Sequence, residues 1–299
     1  MARIMVVGAG FMGAGIAQVA AQVGHEVALV EVSPSALERA LGGMASSVAK
    51  LAAKGLVAED PAAVLARVSP ARDLAGAAQA AWVVEAVPER EELKLELFRE
   101  LSRLAPTGTP LASNTSSIPI GRLAAAVEHP ERVLGLHFFG PVPLMGLVEV
   151  VKGPQTADEV FARGVEFVRG LGKTPVQVTQ DIPGFVMNRV FAAAFREAVD
   201  LVARGVATPA DVDAGMRLGY GWGAGPFEIA DNAGLDTVAL ISRFMAGVGE
   251  TELAPHSDLL ERMVAQGRLG RKVGKGFYNY TPEGKRQPWD PKAVEGTKV

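Results

Sequence analysis

The segment "ARIMVVGAGFMGAGIAQVAAQVGHEVALVEV" (residues 2–32) constrains the chain more than any other. Residues 3–7 read as a short strand buried on both faces, as in a parallel sheet. Gly8, Gly10 and Gly13 follow as G-x-G-x-x-G, and Phe11 to Val23 reads as a helix that Gly24 stops. "EVALVEV" supplies a second strand, which completes a βαβ unit of about 30 residues. In this setting the three glycines serve different ends. The first permits the tight turn, the second lets backbone approach a pyrophosphate, and the third lets helix and strand pack closely. The helix N-terminus would aim its free N–H groups at the phosphates. Glu31 closes the second strand, where a carboxylate accepts hydrogen bonds from a ribose 2′-hydroxyl and repels a 2′-phosphate. Its neighbours are Val, Ser and Pro, with no Arg among them, so NAD is expected rather than NADP. FAD uses the same fingerprint and is not separated by it.

The pattern continues with an Ala-rich helix over about 34–54, a buried strand within 80–87 and an amphipathic helix over 89–104. A short strand (109–114) then ends in a polar cluster, and strands lie on either side of the "PVP" turn. A helix (157–172) and a last strand in "TPVQVTQD" finish this part. After Asp181 only helical segments and Gly/Pro loops follow, so the boundary falls near residue 182. The expected fold class is α/β: an N-terminal Rossmann-type doubly wound sheet (1–182) and an all-α C-terminal domain (183–299). "LGYGWGAGPF" (218–227) reads as a turn between helices, and 281–299 as a loosely held tail.

A net charge of −3 over 299 residues offers no electrostatic reason to bind nucleic acid or an anionic membrane. The chain has no cysteine, which excludes disulfides, thiolate zinc sites and thiol nucleophiles together. No apolar run approaches the ~18 residues of a membrane span. The expectation is a soluble cytoplasmic protein.

Of four histidines, His25, His129 and His256 fall in turns and are expected at the surface. His137 ends an apolar run, and Glu149 lies within the next one. Imidazole is the side chain that titrates near neutral pH unperturbed. His137 could therefore take a hydroxyl proton while hydride leaves, with Glu149 steadying the charged ring. A satisfied core histidine and a strand glutamate facing water are the bland alternative. "SNTSS" (113–117) closes a strand where open α/β sheets bind ligands, or merely caps a helix. Asn188 sits among Val, Met and Phe at the start of a helix, as a packing hydrogen bond or a reach toward substrate. Ser47, Lys50 and Lys54 share a helix face that could grip phosphates or simply be solvated. No His or carboxylate pair beside these residues has metal-ligand spacing, so no metal is expected.

Taken together, GAGFMGAGIA, VVEAVPE, ASNTSSI, LHFFGPVPLMGLVEVV, PGFVMNR, GPFEIADNAGLD and GRKVGKGFYNY resemble the NAD-dependent L-3-hydroxyacyl-CoA dehydrogenase family over roughly residues 3–281. The resemblance implies a Rossmann domain, a helical dimerisation domain and a homodimer that binds an acyl-CoA thioester. It implies His137 as the base, Glu149 as its orienting carboxylate, and Ser116 and Asn188 as partners of the reacting oxygen. On the cofactor side it implies Gly8, Gly10, Phe11, Met12, Gly13, Glu31, Ala86, Glu89, Lys94, Asn114, Ser116 and, from the second domain, Lys272. Ser47 and Lys54 match coenzyme A contacts. The chain departs from the family pattern at Gly140, where Asn is common, and at Gly146, where Lys is common. Both departures leave the His–Glu pair intact. The expected reaction is the reversible oxidation of an (S)-3-hydroxyacyl-CoA to the 3-oxoacyl-CoA with NAD as hydride acceptor. A 3-hydroxyadipyl-CoA or free 3-hydroxy acid dehydrogenase, and a non-catalytic NAD-binding relative, are the alternatives.

Overall fold

In a computed structural model the structure describes residues 1–288, and the chain divides into two compact units, Met1–Phe185 and Val186 onward. The first opens with β1 (Arg3–Val7), α1 (Phe11–Gln22), β2 (Glu26–Val30), α2 (Pro34–Ala53), α3 (Pro61–Ala66) and β3 (Val68–Ala71). It continues with β4 (Trp82–Glu85), α4 (Glu91–Leu104), β5 (Leu111–Ser113), α5 (Ile120–Ala124) and β6 (Val133–Phe138), and closes with β7 (Leu147–Val151), α6 (Asp158–Gly170) and β8 (Thr174–Val178). The eight strands form one sheet in the order β3-β2-β1-β4-β5-β6-β7-β8. β1 to β6 run parallel, β7 is antiparallel to β6, and β8 is parallel to β7.

The strand period explains why both faces are covered. Ile4 and Val6 pack with α1, α2 and α6 in one core, and Met5 and Val7 pack with α4 and α5 in the other. Alternate side chains of one strand thus enter two separate hydrophobic layers, the signature of a doubly wound sheet. The segment between α2 and β4 carries α3 and the edge strand β3, which the sequence reading leaves unassigned. Pro70 sits inside β3, a residue an edge strand tolerates because only one side of it must donate to a ladder.

The second unit holds α7 (Met187–Ala203), α8 (Pro209–Tyr220), α9 (Pro226–Ala233), α10 (Leu235–Gly247) and α11 (Leu259–Ala265). Its core gathers Phe195, Val199, Phe227, Leu235, Phe277 and Tyr278. Two fully buried aspartates tie it together. Asp213 accepts from Phe227 N (2.9 Å) and Glu228 N (3.1 Å) in the first turn of α9 and from the Tyr278 hydroxyl (2.7 Å). Asp231 accepts from Phe277 N (2.8 Å), Tyr278 N (2.9 Å) and the Tyr280 hydroxyl (2.9 Å). Of residues 218–227 only 221–225 turn between α8 and α9; Leu218 to Tyr220 end α8, and Pro226 and Phe227 open α9. The start of the expected tail is pinned: Gln287 N donates to Asn279 O at 2.8 Å and Arg286 pairs with Glu228. The rest of that tail, 289–299, lies outside the described residues. No helix among the described residues is long and apolar enough to cross a membrane.

Candidate active site

The parallel strands deliver their C-terminal ends to one edge of the sheet, where the glycine turn, Glu31, the 113–117 segment and His137 lie. Gly8 follows β1 at φ +100°, a conformation that disfavours any side chain, and a Cβ on it would lie 2.6 Å from Ala86 O. A Cβ on Gly13 would fall 1.8 Å from Gly8 O, so α1 can approach the turn only with glycine there. Gly10 differs: a Cβ there would meet nothing within 4 Å. It caps α1 without a side chain, so no cap side chain accepts from the first-turn N–H groups. That cradle fits a dinucleotide pyrophosphate. Glu31 follows β2 directly, and its carboxylate accepts from Ala9 N (3.2 Å) and Ser33 N (3.0 Å). A groove of ≈ 490 Å³ runs past Gly10, Phe11, Glu31, Arg39 and Ser47 to Pro143. Arg39 in that groove is a cation the local sequence around Glu31 does not announce, because α2 folds it back from eight residues on.

His137 and Glu149 are directly opposed across β6 and β7. Nδ1 of His137 lies 2.6 Å from Glu149 Oε2, and Glu149 is fully buried. A carboxylate can only accept, so Nδ1 carries the hydrogen and Nε2 is the basic nitrogen. The ring packs against Phe139 (4.6 Å between centroids) and Phe185 (5.6 Å). Phe138 N donates to Asn114 Oδ1 at 2.9 Å, which joins the end of β6 to the end of β5. Lys173, buried, donates to Val142 O (2.7 Å) and Met145 O (2.6 Å) and so fastens the reversal between β6 and β7, a role the sequence reading misses.

The "VVEAVPE" and "SNTSS" motifs form one polar network, buried at Glu85, Lys94, Ser113 and Thr115 and open to solvent at Glu89. Lys94 Nζ bridges Glu85 Oε1 (2.7 Å) and Glu89 Oε2 (3.0 Å). Glu89 accepts from Ser116 N (3.2 Å), Ser117 N (3.3 Å), Ser117 Oγ (2.7 Å) and the Thr115 hydroxyl. Burial pushes the Glu85 carboxyl above the usual carboxylate range, outweighing the pull of Lys94 and its hydrogen-bond donors. At Glu89 burial also pushes upward, but Lys94 and the Thr115 and Ser117 hydroxyls hold the group below its ordinary value. Lys94, expected to contact the cofactor, stands inside this network. It is 1% exposed and its ammonium is taken by two carboxylates.

Ser116 and Asn114 stand half-buried at the same strand edge, with Ala86 beside Gly8. Phe11 is exposed at the start of α1, Met12 half-buried next to it. Ser47 lines the groove, and Lys54 is exposed at the C-cap of α2. In the second unit Asn188 is half-buried in the first turn of α7, and Lys272 pairs with Asp236 at 2.6 and 2.7 Å. Of the other histidines, His256 is exposed, but His129 and His25 are half-buried: Nδ1 of His25 accepts from Ala2 N at 3.2 Å, and burial lowers the His25 pKa. Among the described residues no group of three or more His, Cys, Asp or Glu could hold a metal ion.

Residues 3–182 match the 3-hydroxyacyl-CoA dehydrogenase NAD-binding domain, and residues 184–280 match the 3-hydroxyacyl-CoA dehydrogenase C-terminal domain. The chain belongs to the 3-hydroxyacyl-CoA dehydrogenase family. It is 44% identical over 276 residues to a probable 3-hydroxybutyryl-CoA dehydrogenase of Deinococcus radiodurans, spanning 92% of this chain and 99% of the relative. The structure resembles that of FadB2 from M. tuberculosis with a TM-score of 0.88 at 40% identity, covering 94% of this chain and 99% of the other. It resembles (S)-3-hydroxybutyryl-CoA dehydrogenase PaaH1 from Ralstonia eutropha with a TM-score of 0.87 at 37% identity and the same coverages of 94% and 99%. As a 3-hydroxyacyl-CoA dehydrogenase family member it is an NAD-dependent oxidoreductase acting on acyl-CoA thioesters. The N-terminal glycine turn and Glu31 lie within the part of the chain that matches the NAD-binding domain.

Proposed function

We propose that the chain interconverts an (S)-3-hydroxyacyl-CoA of short acyl length and its 3-oxoacyl-CoA, with His137 as the general base and Glu149 as its orienting carboxylate. The observation that carries this reading is the buried 2.6 Å Nδ1–Oε2 pair at the ligand-binding edge of the sheet. In the oxidative direction Nε2 takes the substrate hydroxyl proton, and the carboxylate offsets the charge that forms on the ring. Ser116, at the end of β5, is the proposed hydrogen-bond partner of the substrate oxygen, and Asn188 is given the same role on the family pattern. Bound NAD supplies the hydride acceptor. The residues that would hold it are Gly8, Gly10, Phe11, Met12, Gly13, Glu31, Ala86, Glu89, Asn114 and Ser116, with Lys272 carried on the family pattern. Ser47, lining the groove, and Lys54 are the proposed coenzyme A contacts. A short acyl chain is favoured by the relatives' 3-hydroxybutyryl-CoA names. A cytoplasmic homodimer belongs to the same proposal; the exposed Val190, Leu218, Tyr220 and Leu240 of the second unit support self-association.

The test follows NADH oxidation with acetoacetyl-CoA for wild type, His137→Ala and Glu149→Gln. His137→Ala should lose roughly 10²–10⁴ in kcat with NADH still bound, the usual worth of a positioned base. Glu149→Gln should lose kcat more than KM, because an amide can present either face to Nδ1 and does not stabilise the charged ring. A His137→Ala enzyme within threefold of wild type would remove the histidine from the chemistry.

A further inference from the structure

The buried charges between β4 and α4 touch nothing the proposed mechanism uses directly, yet Ser113 bonds Glu85, residues 115–117 bond Glu89 beside Lys94, and Asn114 is held by the Glu85 backbone. Glu85 stands at the hub. Its backbone oxygen accepts from Asn114 N (2.9 Å), and its Oε2 accepts from Ser113 Oγ (2.6 Å). Ser113 Oγ in turn accepts from Thr115 N at 3.1 Å. Glu85 Oε1 accepts from Val87 N (2.7 Å) and Lys94 Nζ (2.7 Å). Lys94 passes the charge on to Glu89, whose other oxygen holds Ser116 N, Ser117 N and two hydroxyls. Asn114 then reaches Phe138 N, one residue from His137. Each partner of Glu85 is a donor, as an ionised carboxylate requires.

We propose that Glu85 and Lys94 form a positioning pair that fixes the 113–118 loop, and through it Ser116 and Asn114, against the end of β6. The proposal rests on the reading of Ser116 given above. Glu85 and Lys94 are 0% and 1% exposed, so neither is a catalytic residue; they act through Glu89 and Ser113. A buried ion pair is often replaceable by well-packed neutral residues with little change in stability. Stability alone therefore does not account for this pair, and what it adds is a fixed loop geometry at the place where the strand ends meet the ligand.

The decisive variant is Glu85→Gln/Lys94→Met, which removes both charges of the pair together; Glu89, 39% exposed, loses its cation and keeps its donors from residues 115–117. Glu85→Gln alone, isosteric with the native side chain, is the second variant should the first fold poorly. Hydrogen exchange of segment 113–118, thermal unfolding, NADH affinity, and kcat and KM for acetoacetyl-CoA are measured on each. Expected are exchange faster by tenfold or more confined to 113–118, kcat lower by tenfold or more, and NADH affinity and midpoint temperature close to wild type. The proposal is overturned by unchanged loop exchange with kcat within threefold of wild type. It is equally overturned if exchange accelerates across the whole sheet in step with lost thermal stability, which marks a merely structural pair. A tenfold loss of NADH affinity with kcat untouched would return Lys94 to the cofactor and overturn it too. Wild type that fails to turn over acetoacetyl-CoA would instead refute the functional reading, while the exchange result still judges the positioning pair.

Discussion

Replacing Glu31 should change which dinucleotide the enzyme uses. The carboxylate follows β2, is oriented by Ala9 N and Ser33 N, and lines the same groove as Arg39. Hydrogen bonds from a ribose hydroxyl to a carboxylate are worth about 1.5–3 kcal/mol. A 2′-phosphate placed about 4 Å from that carboxylate would meet a repulsion of about 1 kcal/mol per unit charge in a water-like medium, thus about 2 kcal/mol for a phosphate of about two charges. Glu31→Ser removes the attraction for NAD and the repulsion for NADP together, a swing of about 3.5–5 kcal/mol. At about 1.4 kcal/mol per factor of ten this is a change in cofactor preference between roughly three-hundredfold and a few thousandfold. Glu31→Gln keeps an acceptor oxygen and loses only the charge, so its swing should be nearer the repulsive part, roughly thirtyfold. The assay is kcat/KM for NADH and NADPH with acetoacetyl-CoA held saturating, with nucleotide affinity by fluorescence alongside. In the Glu31→Ser background Arg39 is the exposed cation in the groove, so Arg39→Ala should remove the new NADPH activity and leave NADH use alone. A Glu31→Ser ratio within threefold of wild type would refute the assignment of this carboxylate to the ribose.

Two further outcomes follow from the geometry. Gly13→Ala should abolish nucleotide binding and lower the unfolding temperature sharply, since its Cβ would lie 1.8 Å from a backbone oxygen that cannot step aside; a normally stable, NADH-binding variant would show the turn to be looser than described. Asp231, buried and accepting three hydrogen bonds, has its pKa raised from 3.8 to about 6 by burial, so its ionised form is disfavoured by the fold. Its contribution to stability is therefore full below pH 3.8 and declines as pH rises through about 6, by on the order of 3 kcal/mol. Measured by denaturant unfolding, the stability difference between wild type and Asp231→Asn should shift by that order between pH 4 and 7, and a pH-independent difference would contradict it.

Much of the first unit is legible because its signals are local. The glycine spacing, the strand before it and the helix after it each specify the same βαβ turn, and Glu31 follows from strand length. The burial of Lys94 is open to reading too: with Phe98 and Leu101 it lies on the inward stripe of α4, at spacings of four and seven. Its charge suggests solvent or a ligand, and period alone does not say that two carboxylates wait inside. Glu85 carries a similar signal, an acid ending a buried apolar strand. By contrast, β3 with its internal proline and the return of Arg39 to the groove depend on tertiary placement that no local pattern contains. The same holds for Asp213 and Asp231, whose partners lie far along the chain: Tyr278 for the first, Phe277, Tyr278 and Tyr280 for the second.

The departures at Gly140 and Gly146 can be placed on the same physical footing. Residues 139–146 join β6 to β7, a reversal too short for a parallel crossover, so the strands must pair antiparallel. That pairing, and not a loop side chain, sets His137 opposite Glu149, and a slip of one residue would send the carboxylate to the other face. Side-chain identity at 140 and 146 is therefore separable from the His–Glu geometry. A Cβ on Gly146 would meet nothing within 4 Å, so a side chain there would start into open space. A Cβ on Gly140 would lie 2.5 Å from Phe11 Cε1, so here the Phe11 ring leans over the position that a larger residue would claim. The end of β6 is secured instead by Asn114 Oδ1 on Phe138 N and by Lys173 on the turn carbonyls. The loop has exchanged a polar side chain for an aromatic contact beside the first turn of α1, while the pair that would move the proton is held by strand register and buried anchors that neither glycine touches.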